Sequence, residues 1–303
     1  MDELNTVAII GLGLIGSSIA RAAGAALPGS SLTGFDSDEA VRRRAAELGL
    51  VAVVDSAADA VRDANLVILC VPVGAMTAAA ESIAPHLRPG AIVSDVGSSK
   101  ASVAAELERV LSVARVVPAH PVAGTEQSGP DAGFASLFRG RWCILTPGET
   151  SDGPALLALR AFWQALGARV EVMDAHHHDL VLAVTSHVPH LIAYTIVGTA
   201  SDLEAVTEGE VIKYSAGGFR DFTRIAASSP VMWRDIFLAN KDAVLDTLQR
   251  FGEDLSLLQR AIRNDDGETL LDLFTRTSAI RRGIVEMGQD TAAADFGRTH
   301  EQG

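Results

Sequence analysis

The feature that most constrains the fold is a glycine-rich turn near the start of the chain. A short β-branched run at residues 6–10 leads directly into Gly11, Gly13 and Gly16, and an apolar helical segment follows. The first glycine allows a tight turn, the second lets a pyrophosphate approach the backbone, and the third lets helix and strand pack closely. Because strand, turn and helix occur in the required order, the motif predicts a dinucleotide-binding Rossmann fold. The predicted cofactor contacts in this turn are Gly11, Leu12, Gly13, Leu14, Ile15 and Gly16.

An acidic residue after the next predicted strand defines the cofactor more closely. Asp36 follows the run at residues 31–35 and lies about 20 residues beyond the last motif glycine, where a carboxylate binds the adenosine ribose hydroxyls. A carboxylate there repels a 2′-phosphate, so NAD is favoured over NADP. Arg42, Arg43 and Arg44 follow on a predicted helix. We interpret them as a solvated face, with a contact to a 2′-phosphate as the open alternative.

Strands and helices continue to alternate up to residue 173, which predicts a doubly wound parallel sheet and an N-terminal Rossmann-type domain at residues 1–173. The apolar strand at residues 66–71 stops at Pro72. Val71 and Pro72 are therefore predicted to form a loop beside the cofactor. The later strands predicted for the same sheet lie at residues 91–94, 113–118, 142–146 and 169–173.

Beyond residue 173 the pattern is helical only, and residues 174–303 are predicted to be an all-helical substrate and dimerisation domain. Residues 174–200 predict one long helix, apolar on most faces, with a kink at Pro189. An all-round apolar helix is usually buried, which in a domain this small indicates a subunit interface. Apolar residues at spacings of four and three over residues 244–262 add a coiled-coil-like seam.

Composition argues against several classes of partner. The formal net charge of −13 disfavours nucleic acid and anionic membrane surfaces. The acidic start has no apolar signal region, and no uninterrupted apolar run reaches about 18 residues, so a cytoplasmic location without a membrane partner is predicted. Cys70 and Cys143 are interpreted as buried thiols in a reducing compartment. No metal site is predicted, and the histidines at 176–178 are interpreted as a helix start.

His120 is the leading candidate for proton chemistry. It follows an apolar, strand-like run at residues 113–119 and precedes a glycine-containing loop with Thr125 and Glu126. An α/β sheet binds its ligands at the carboxyl ends of its strands. Because imidazole titrates near neutral pH, a histidine in that position is well suited to act as a general base. A purely structural histidine is the alternative.

Two further polar groups come from the helical half. His187 and His190 lie three residues apart, on one face of a predicted helix. They lack an obvious third metal ligand, so a substrate contact from at least one of them is favoured over a metal. Arg220 and Arg224 lie in a predicted loop, where a guanidinium can bind a carboxylate. The alternative for this pair is an ion pair with Asp221.

In these segments the chain resembles prephenate dehydrogenase and its arogenate-using relatives, enzymes of the tyrosine pathway. The resemblance runs from the first strand to the last helices. The glycine motif alone is unspecific, whereas the segments around His120 and Arg224 together are specific to the family. The matching segments are residues 11–16, 95–100, 120–129, 186–190 and 217–226.

The resemblance implies the NAD-dependent oxidative decarboxylation of prephenate to 4-hydroxyphenylpyruvate by a homodimer. His120 matches the catalytic histidine, which accepts a hydrogen bond from the ring hydroxyl. Ser98, which also lies beside the cofactor, matches a serine that orients this histidine and the hydroxyl. Arg224 matches the arginine that holds a substrate carboxylate. The substrate-binding set is His187, His190, Arg224, Glu126, Thr125 and Trp233, with Glu126 gating the pocket and His187 an alternative to His190.

Three other functions remain open from the sequence. Arogenate differs from prephenate by an amino group in place of a keto group, and no residue here is assigned to distinguish them. A β-hydroxyacid dehydrogenase would use a lysine base on the helical domain, but Lys213 and Lys241 lie in no recognisable motif. An NAD-sensing module without turnover is the remaining alternative. Feedback inhibition by tyrosine is also open.

Overall fold

The computed structural model describes residues 4–125, 127–149, 151–204, 213 and 217–286. The strands are β1 (Thr6–Ile10), β2 (Ser31–Phe35), β3 (Ala52–Val53), β4 (Leu66–Leu69), β5 (Ile92–Asp95), β6 (Arg115–Val116), β7 (Ala119–Pro121), β8 (Trp142–Leu145) and β9 (Arg169–Val172). The helices are α1 (Leu14–Ala26), α2 (Glu39–Glu47), α3 (Ala57–Val61), α4 (Met76–Ile83), α5 (Ala101–Val110), α6 (Gly153–Ala165), α7 (Ala175–Leu182), α8 (Val188–Glu204), α9 (Gly217–Thr223), α10 (Pro230–Ala239), α11 (Lys241–Arg263) and α12 (Gly267–Glu286).

Six parallel strands form the main sheet in the order β3-β2-β1-β4-β5-β6. Ile10 of β1 is in register with Phe35 of β2 on one side and with Leu69 of β4 on the other. The strand order reverses between β1 and β4, so their carboxyl ends form the crevice in which such sheets bind ligands. The predicted Rossmann-type sheet is confirmed.

Apolar side chains cover both faces of this sheet. Ile9 and Ile68 belong to one buried cluster, whereas their neighbours Ile10 and Leu69 belong to another. Successive residues of a strand point to opposite faces, so a strand that is buried on both sides is apolar throughout. This explains why β1 and β4 are continuous hydrophobic runs and why helices cover the sheet on both sides.

The strands after Pro118 do not extend the main sheet, which corrects the single-sheet prediction. Val117 N–H still donates to the Val93 carbonyl, but Pro118 has no N–H, and Ala119 N–H donates to the side chain of Asp95 instead. The chain therefore leaves the sheet at the proline. Strand β7 pairs antiparallel with β8, and β8 pairs parallel with β9, in a separate three-stranded sheet. His120 consequently lies inside the short strand β7 rather than after a strand of the main sheet.

The long helix predicted for residues 174–200 is interrupted. Helix α7 ends at Leu182, a π-helical turn occupies Ala183–His187, and α8 begins at Val188. Pro189 follows directly and cannot donate a backbone hydrogen bond. The kink predicted at Pro189 therefore takes the form of a widened helical turn just before it.

One described helical stretch, Ala175–Leu203, is long and apolar enough to cross a membrane by length and composition alone. Of its most apolar 18 residues, 28% are buried within the chain. A single helix of this kind is weak evidence for a membrane, because core helices pass the same test. The sequence criterion of an uninterrupted apolar run did not detect it.

The chain divides into two compact units, the first ending at Thr247 and the second starting at Leu248. The division falls within α11, well after residue 173, where the sequence predicts a domain boundary. That boundary stays a prediction. In the first unit, Val244 at the start of the predicted seam is buried. In the second, Phe251, Leu255 and Ile262 of the same seam are exposed, as are Leu271, Phe274, Ile280 and Ile284 of α12.

Candidate active site

The glycine turn after β1 has the shape that a bound pyrophosphate requires. Gly11 has a φ of +100°, and a Cβ on it would collide with the carbonyl group of Cys70. A Cβ on Gly16 would collide with the carbonyl oxygen of Gly11, so this glycine allows α1 to approach the turn. Gly13 has open space where a side chain would project. The first-turn N–H groups of α1 are therefore accessible to an anionic group.

Asp36 lies at the carboxyl end of β2, beside this turn. Its Oδ2 accepts a hydrogen bond from Leu12 N–H at 2.8 Å, and its Oδ1 accepts one from Asp38 N–H at 2.9 Å. These bonds fix the carboxylate in a half-buried position. Each carboxylate oxygen has two lone pairs, so both can still accept from a ribose hydroxyl.

The three arginines after Asp36 all contact acceptors within the protein, which agrees with their interpretation as a solvated face. Arg44 is the most strongly held, because its guanidinium forks onto the Asp131 carboxylate, and this bond raises the pKa of Arg44. The contacts are Arg42 with the Asp36 carbonyl, Arg43 with Glu39, and Arg44 with Asp131 and Glu47.

The loop after β4 contacts both the glycine turn and helix α10. Val71 is half-buried and lies next to Gly11, and Pro72 is exposed. Further along this loop, Gly74 lies directly against the carboxylate of Asp235, and a Cβ on Gly74 would collide with it. Asp235 is on α10, the helix that also carries Trp233.

A buried ion pair lies at the end of β5. Lys100 and Asp95 are both fully buried, and Lys100 Nζ bonds Asp95 Oδ2 and the Ala119 carbonyl, the latter at 2.8 Å. Burial lowers the pKa of Lys100, against the opposing effect of the Asp95 charge. Asp95 also accepts hydrogen bonds from Gly97 N–H and Ala119 N–H. One carboxylate thus joins β5, the loop that leads to α5, and β7.

His120 is buried, at 7% exposure, on strand β7. Burial lowers its pKa well below 6.5, and the charges of His178, Lys100 and His187 lower it further. The ring is therefore neutral at physiological pH and can accept a proton.

Two residues that the sequence did not single out contact His120 or its partner. His178 Nε2 lies 2.9 Å from His120 Nδ1, and His178 Nδ1 lies 2.8 Å from Asp179 Oδ1. Asp179 also accepts hydrogen bonds from Lys100 N–H at 2.7 Å and Ala101 N–H at 2.9 Å, at the start of α5. The two residues are buried.

His187 is also buried, and Asn240 holds its Nδ1. Asn240 Nδ2 donates to its Nδ1 at 3.0 Å and to the Asp179 carbonyl at 2.8 Å. Because Nδ1 accepts, the ring proton of the neutral form is on Nε2, which makes no well-aligned hydrogen bond among the described residues, although the Ser98 carbonyl is a nearby acceptor for this ring. Burial lowers the pKa of His187 to about 4, although the nearby Asp179 charge and Ser98 carbonyl favour the protonated form.

His190, Trp233 and Arg224 form the outer part of the site. The rings of His190 and Trp233 stack at 3.6 Å between centroids, and His190 Nδ1 donates to the Ser186 carbonyl at 2.9 Å. Burial lowers the pKa of His190, and the charge of Arg224 lowers it further. Arg224 itself is exposed. Trp233 also lies edge-on to His187, with centroids 6.1 Å apart.

The structure thus brings most of the predicted polar residues into one region, which runs from His120 through His187, Trp233 and His190 to Arg224. Ser98 is half-buried on the loop before α5. Thr125 is exposed, and its hydroxyl accepts from Gln127 N–H. Glu126 lies outside the described residues. Arg220 lies 3.7 Å from the Asp221 carboxylate, the ion pair that was its alternative interpretation.

No cluster of three or more His, Cys, Asp or Glu side chains placed to hold a metal occurs among the residues that the structure describes. The four histidines of the site are instead engaged with each other, with Asp179, with Asn240 or with backbone carbonyls.

Two family models match nearly all of this architecture. The nucleotide-binding domain of prephenate dehydrogenase matches residues 19–172, and the dimerization domain of the same family matches residues 174–276. The chain belongs to the prephenate dehydrogenase family. The resemblance inferred from the five sequence segments is confirmed.

Individual members of the family are similar over nearly the whole chain. Cyclohexadienyl dehydrogenase of Zymomonas mobilis is 47% identical over 285 residues, which cover 94% of this chain and 97% of that protein. Prephenate dehydrogenase of Bacillus subtilis is 35% identical over 286 residues, which cover 92% of this chain and 76% of that protein. The crystal structure of A. aeolicus prephenate dehydrogenase in complex with hydroxyphenyl propionate and NAD+ is 33% identical with a TM-score of 0.88, covering 93% and 98% of the two chains.

Sequence reasoning missed His178, Asp179, Lys100 and Asn240. His178 stands in a run of three histidines, and nothing in that run indicates which ring faces inward. The signal that could have found it is the adjacent Asp179, because an acidic residue inside an apolar helix needs a buried partner. Lys100 lies within the matching segment at residues 95–100, in which the family resemblance implies a role only for Ser98.

Proposed function

We propose that this protein catalyses the NAD-dependent oxidative decarboxylation of prephenate to 4-hydroxyphenylpyruvate, with His120 as the general base. The observation that carries the proposal is the neutral, buried ring of His120, linked through His187 and Trp233 to Arg224. Membership of the prephenate dehydrogenase family supports the same reaction.

The turn after β1 and Asp36 fit NAD. Gly11 and Gly16 allow the tight approach of α1, Gly13 leaves room for the pyrophosphate, and Asp36 would accept from the adenosine ribose. A bound NAD supplies the hydride acceptor. The remaining predicted contacts are Leu12, Leu14 and Ile15 in the turn, Val71 and Pro72 after β4, and Ser98 after β5.

His120 would accept the proton of the ring hydroxyl at its free ring nitrogen as the carbinol carbon is oxidised. The ring carboxylate then leaves as CO2, and the electron pair of the broken C–C bond enters the ring and makes it aromatic, with the negative charge on the former carbinol oxygen. Return of the proton from His120 to this oxygen gives the product hydroxyl, and the loss of CO2 makes the reaction irreversible. Ser98 would orient the hydroxyl and His120. None of these steps requires a metal.

The substrate carries two carboxylates, and the protein has a net charge of −13, so a local cation must offset the repulsion. Arg224 is proposed to bind one carboxylate through a charge-assisted hydrogen bond. His187 offers a buried N–H donor, His190 and Trp233 form a stacked wall, and Thr125 and Glu126 belong to the loop proposed to cover the pocket.

Arogenate is the alternative substrate. A relative at 47% identity carries the name cyclohexadienyl dehydrogenase, which describes the ring type that prephenate and arogenate share. The two compounds differ only in a side chain that is remote from the hydroxyl on which His120 would act. The proposed chemistry is therefore the same for both.

We further propose a cytoplasmic homodimer. The family model that matches residues 174–276 describes a dimerization domain. Several large apolar side chains of this part of the chain are exposed in the single chain, as expected of side chains that a second subunit covers. In the first unit they are Leu180, Val184, Ile196, Val197 and Leu203, and in the second unit they are Phe251, Leu255, Ile262, Leu271 and Phe274.

The direct test measures absorbance at 340 nm with NAD and either prephenate or arogenate, each with and without tyrosine. Formation of NADH with prephenate, and its loss in His120→Asn, is the expected result. NADH formation with arogenate alone would assign the alternative substrate. Tight NAD binding without turnover of either compound would contradict the proposal and favour a sensing module.

A further inference from the structure

Two buried side chains connect His120 to the start of α5. His178 Nε2 lies 2.9 Å from His120 Nδ1, and His178 Nδ1 lies 2.8 Å from Asp179 Oδ1. His178 is fully buried, and His120 and Asp179 are at least 93% buried. Because bulk solvent is excluded from these contacts, the positions of the ring protons depend on the protein groups alone.

The direction of each hydrogen bond follows from the carboxylate. An ionised carboxylate only accepts hydrogen bonds, and Asp179 already accepts two from the backbone at the N-terminus of α5, where the helix dipole favours negative charge. His178 must therefore donate its Nδ1–H to Asp179. The neutral His178 ring then has its lone pair on Nε2, and His120 must donate its Nδ1–H to that atom.

We propose that His178 and Asp179 are positioning residues that hold His120 in its Nδ1–H tautomer, so that His120 Nε2 is the proton acceptor. In the opposite tautomer, lone pairs on His120 Nδ1 and His178 Nε2 would face each other at 2.9 Å, and Nε2 would already carry a proton. This proposal rests on the proposed role of His120 as general base.

The same contacts assist the proton transfer itself. When the hydroxyl O–H bond breaks and the proton bonds to His120 Nε2, the ring becomes positively charged, and its Nδ1–H bond to His178 becomes charge-assisted. Asp179 contributes a compensating negative charge through His178. Burial opposes the protonation of His120, and positive charge on His178, Lys100 or His187 opposes it further, so the free ring stays neutral.

The tautomer can be measured without turnover. Long-range ¹H–¹⁵N correlation spectra of protein labelled with ¹⁵N-histidine distinguish protonated from unprotonated ring nitrogens, and the signals lost in His120→Asn identify His120. In the unaltered protein, we expect a protonated Nδ1 and an unprotonated Nε2 on this ring. A protonated Nε2 would overturn the proposal, whatever reaction the enzyme catalyses.

Kinetics then test the effect on the reaction. We expect His178→Phe to lower kcat on the order of 10²-fold, the lower end of general-base effects, while KM and the Kd of NAD change less than about threefold. His178→Gln places an amide oxygen near the position of Nε2, so it should retain more of kcat than His178→Phe. His177→Phe, which alters an exposed ring on the same helix, is the matched control and should leave kcat unchanged.

A kcat for His178→Phe within about threefold of the unaltered enzyme would contradict the positioning role. If His178→Phe does not fold, the comparison of His178→Gln with the control and the spectrum of the unaltered protein decide the question. Absence of turnover by the unaltered enzyme with both substrates would instead contradict the proposed function, and the ring spectrum would still report the tautomer.

Discussion

The two ends of the candidate site differ in how far the protein satisfies their polar groups. At the His120 end, both ring nitrogens of His178 and both oxygens of Asp179 have partners within the chain. At the Trp233 end, His187 Nε2 and Trp233 Nε1 are buried without a hydrogen-bond partner among the described residues. Because buried polar groups are costly to leave unpaired, we expect a bound ligand to contact the Trp233 end.

We therefore assign the chemical step to the His120 end and substrate recognition to the Trp233 end. A base whose tautomer and orientation are fixed before substrate arrives has no reorganisation cost during the reaction. Unpaired buried donors, in contrast, favour a ligand that supplies acceptors and disfavour an analogue without them. We therefore expect changes at the His120 end to act on kcat and changes at the Trp233 end to act on KM.

The largest expected effect is that of His120→Asn. Loss of the base should lower kcat by roughly 10²–10⁴-fold, while the Kd of NAD stays unchanged because the cofactor turn is untouched. Steady-state rates and a fluorescence titration with NAD measure the two quantities. Near-normal turnover would show that His120 is not the base. It would also contradict the assignment of the chemical step to the His120 end.

Arg224→Ala tests the recognition end. Loss of a charge-assisted bond to a carboxylate should raise KM by roughly 10–100-fold and leave kcat within a few-fold. Arg220→Ala, which alters the neighbouring arginine that pairs with Asp221, is the control and should change KM much less. Full activity of Arg224→Ala at unchanged KM would refute the assignment.

The next effect is on stability. Burial lowers the pKa of His187 from 6.5 to about 4, so the unfolded chain binds a proton that the folded chain excludes between these values. The stability that the neutral ring provides is fully present above pH 6.5 and is lost as the pH falls toward 4. At pH 5 the loss is about 2 kcal/mol, from 1.36 kcal/mol per unit.

Urea unfolding at pH 7.5 and pH 5 measures this effect. The difference in free energy of unfolding between the unaltered protein and His187→Gln should shrink by about 2 kcal/mol at the lower pH. His86→Gln, at an exposed histidine, should show no such change. An equal difference at both pH values would mean that His187 is not buried in its neutral form.

The smallest effect lies outside both ends, at the cofactor. Asp36→Ala removes the proposed ribose contact and should raise the Kd of NAD about tenfold, while the Kd of NADP falls. Asp38→Ala, which removes the cap of α2, should lower stability without changing the ratio of the two affinities. If Asp36→Ala does not change the ratio of the NAD and NADP affinities, the arginines of α2 determine the cofactor preference instead.

Local features were predictable from the sequence, and pairings between distant segments were not. The turn at Gly11 and the carboxylate at Asp36 depend on spacing within one strand–turn–helix unit, so their placement follows from backbone geometry. The sequence shows that Pro118 cannot donate a backbone hydrogen bond. It does not show which sheet the chain joins after Pro118, because that depends on which strand edge is available. The predicted kink near Pro189 is a π-helical turn at Ala183–His187.

The contact between His120 and His178 joins residues 58 positions apart. Its existence depends on how α7 docks against the start of α5, which no local pattern specifies. The roles of Ser98, Thr125, Glu126 and the other predicted contacts stay predictions that substitutions can test.

Asp179 has a consequence for partly unfolded states of the enzyme. It caps α5 and accepts from His178, so the tautomer of His120 is set only when α7 is docked, whereas the glycine turn and Asp36 belong to the sheet alone. Mild denaturant that releases α7 before the sheet melts would yield a chain that retains cofactor but has an unoriented base. Turnover should then disappear at a lower urea concentration than NAD binding.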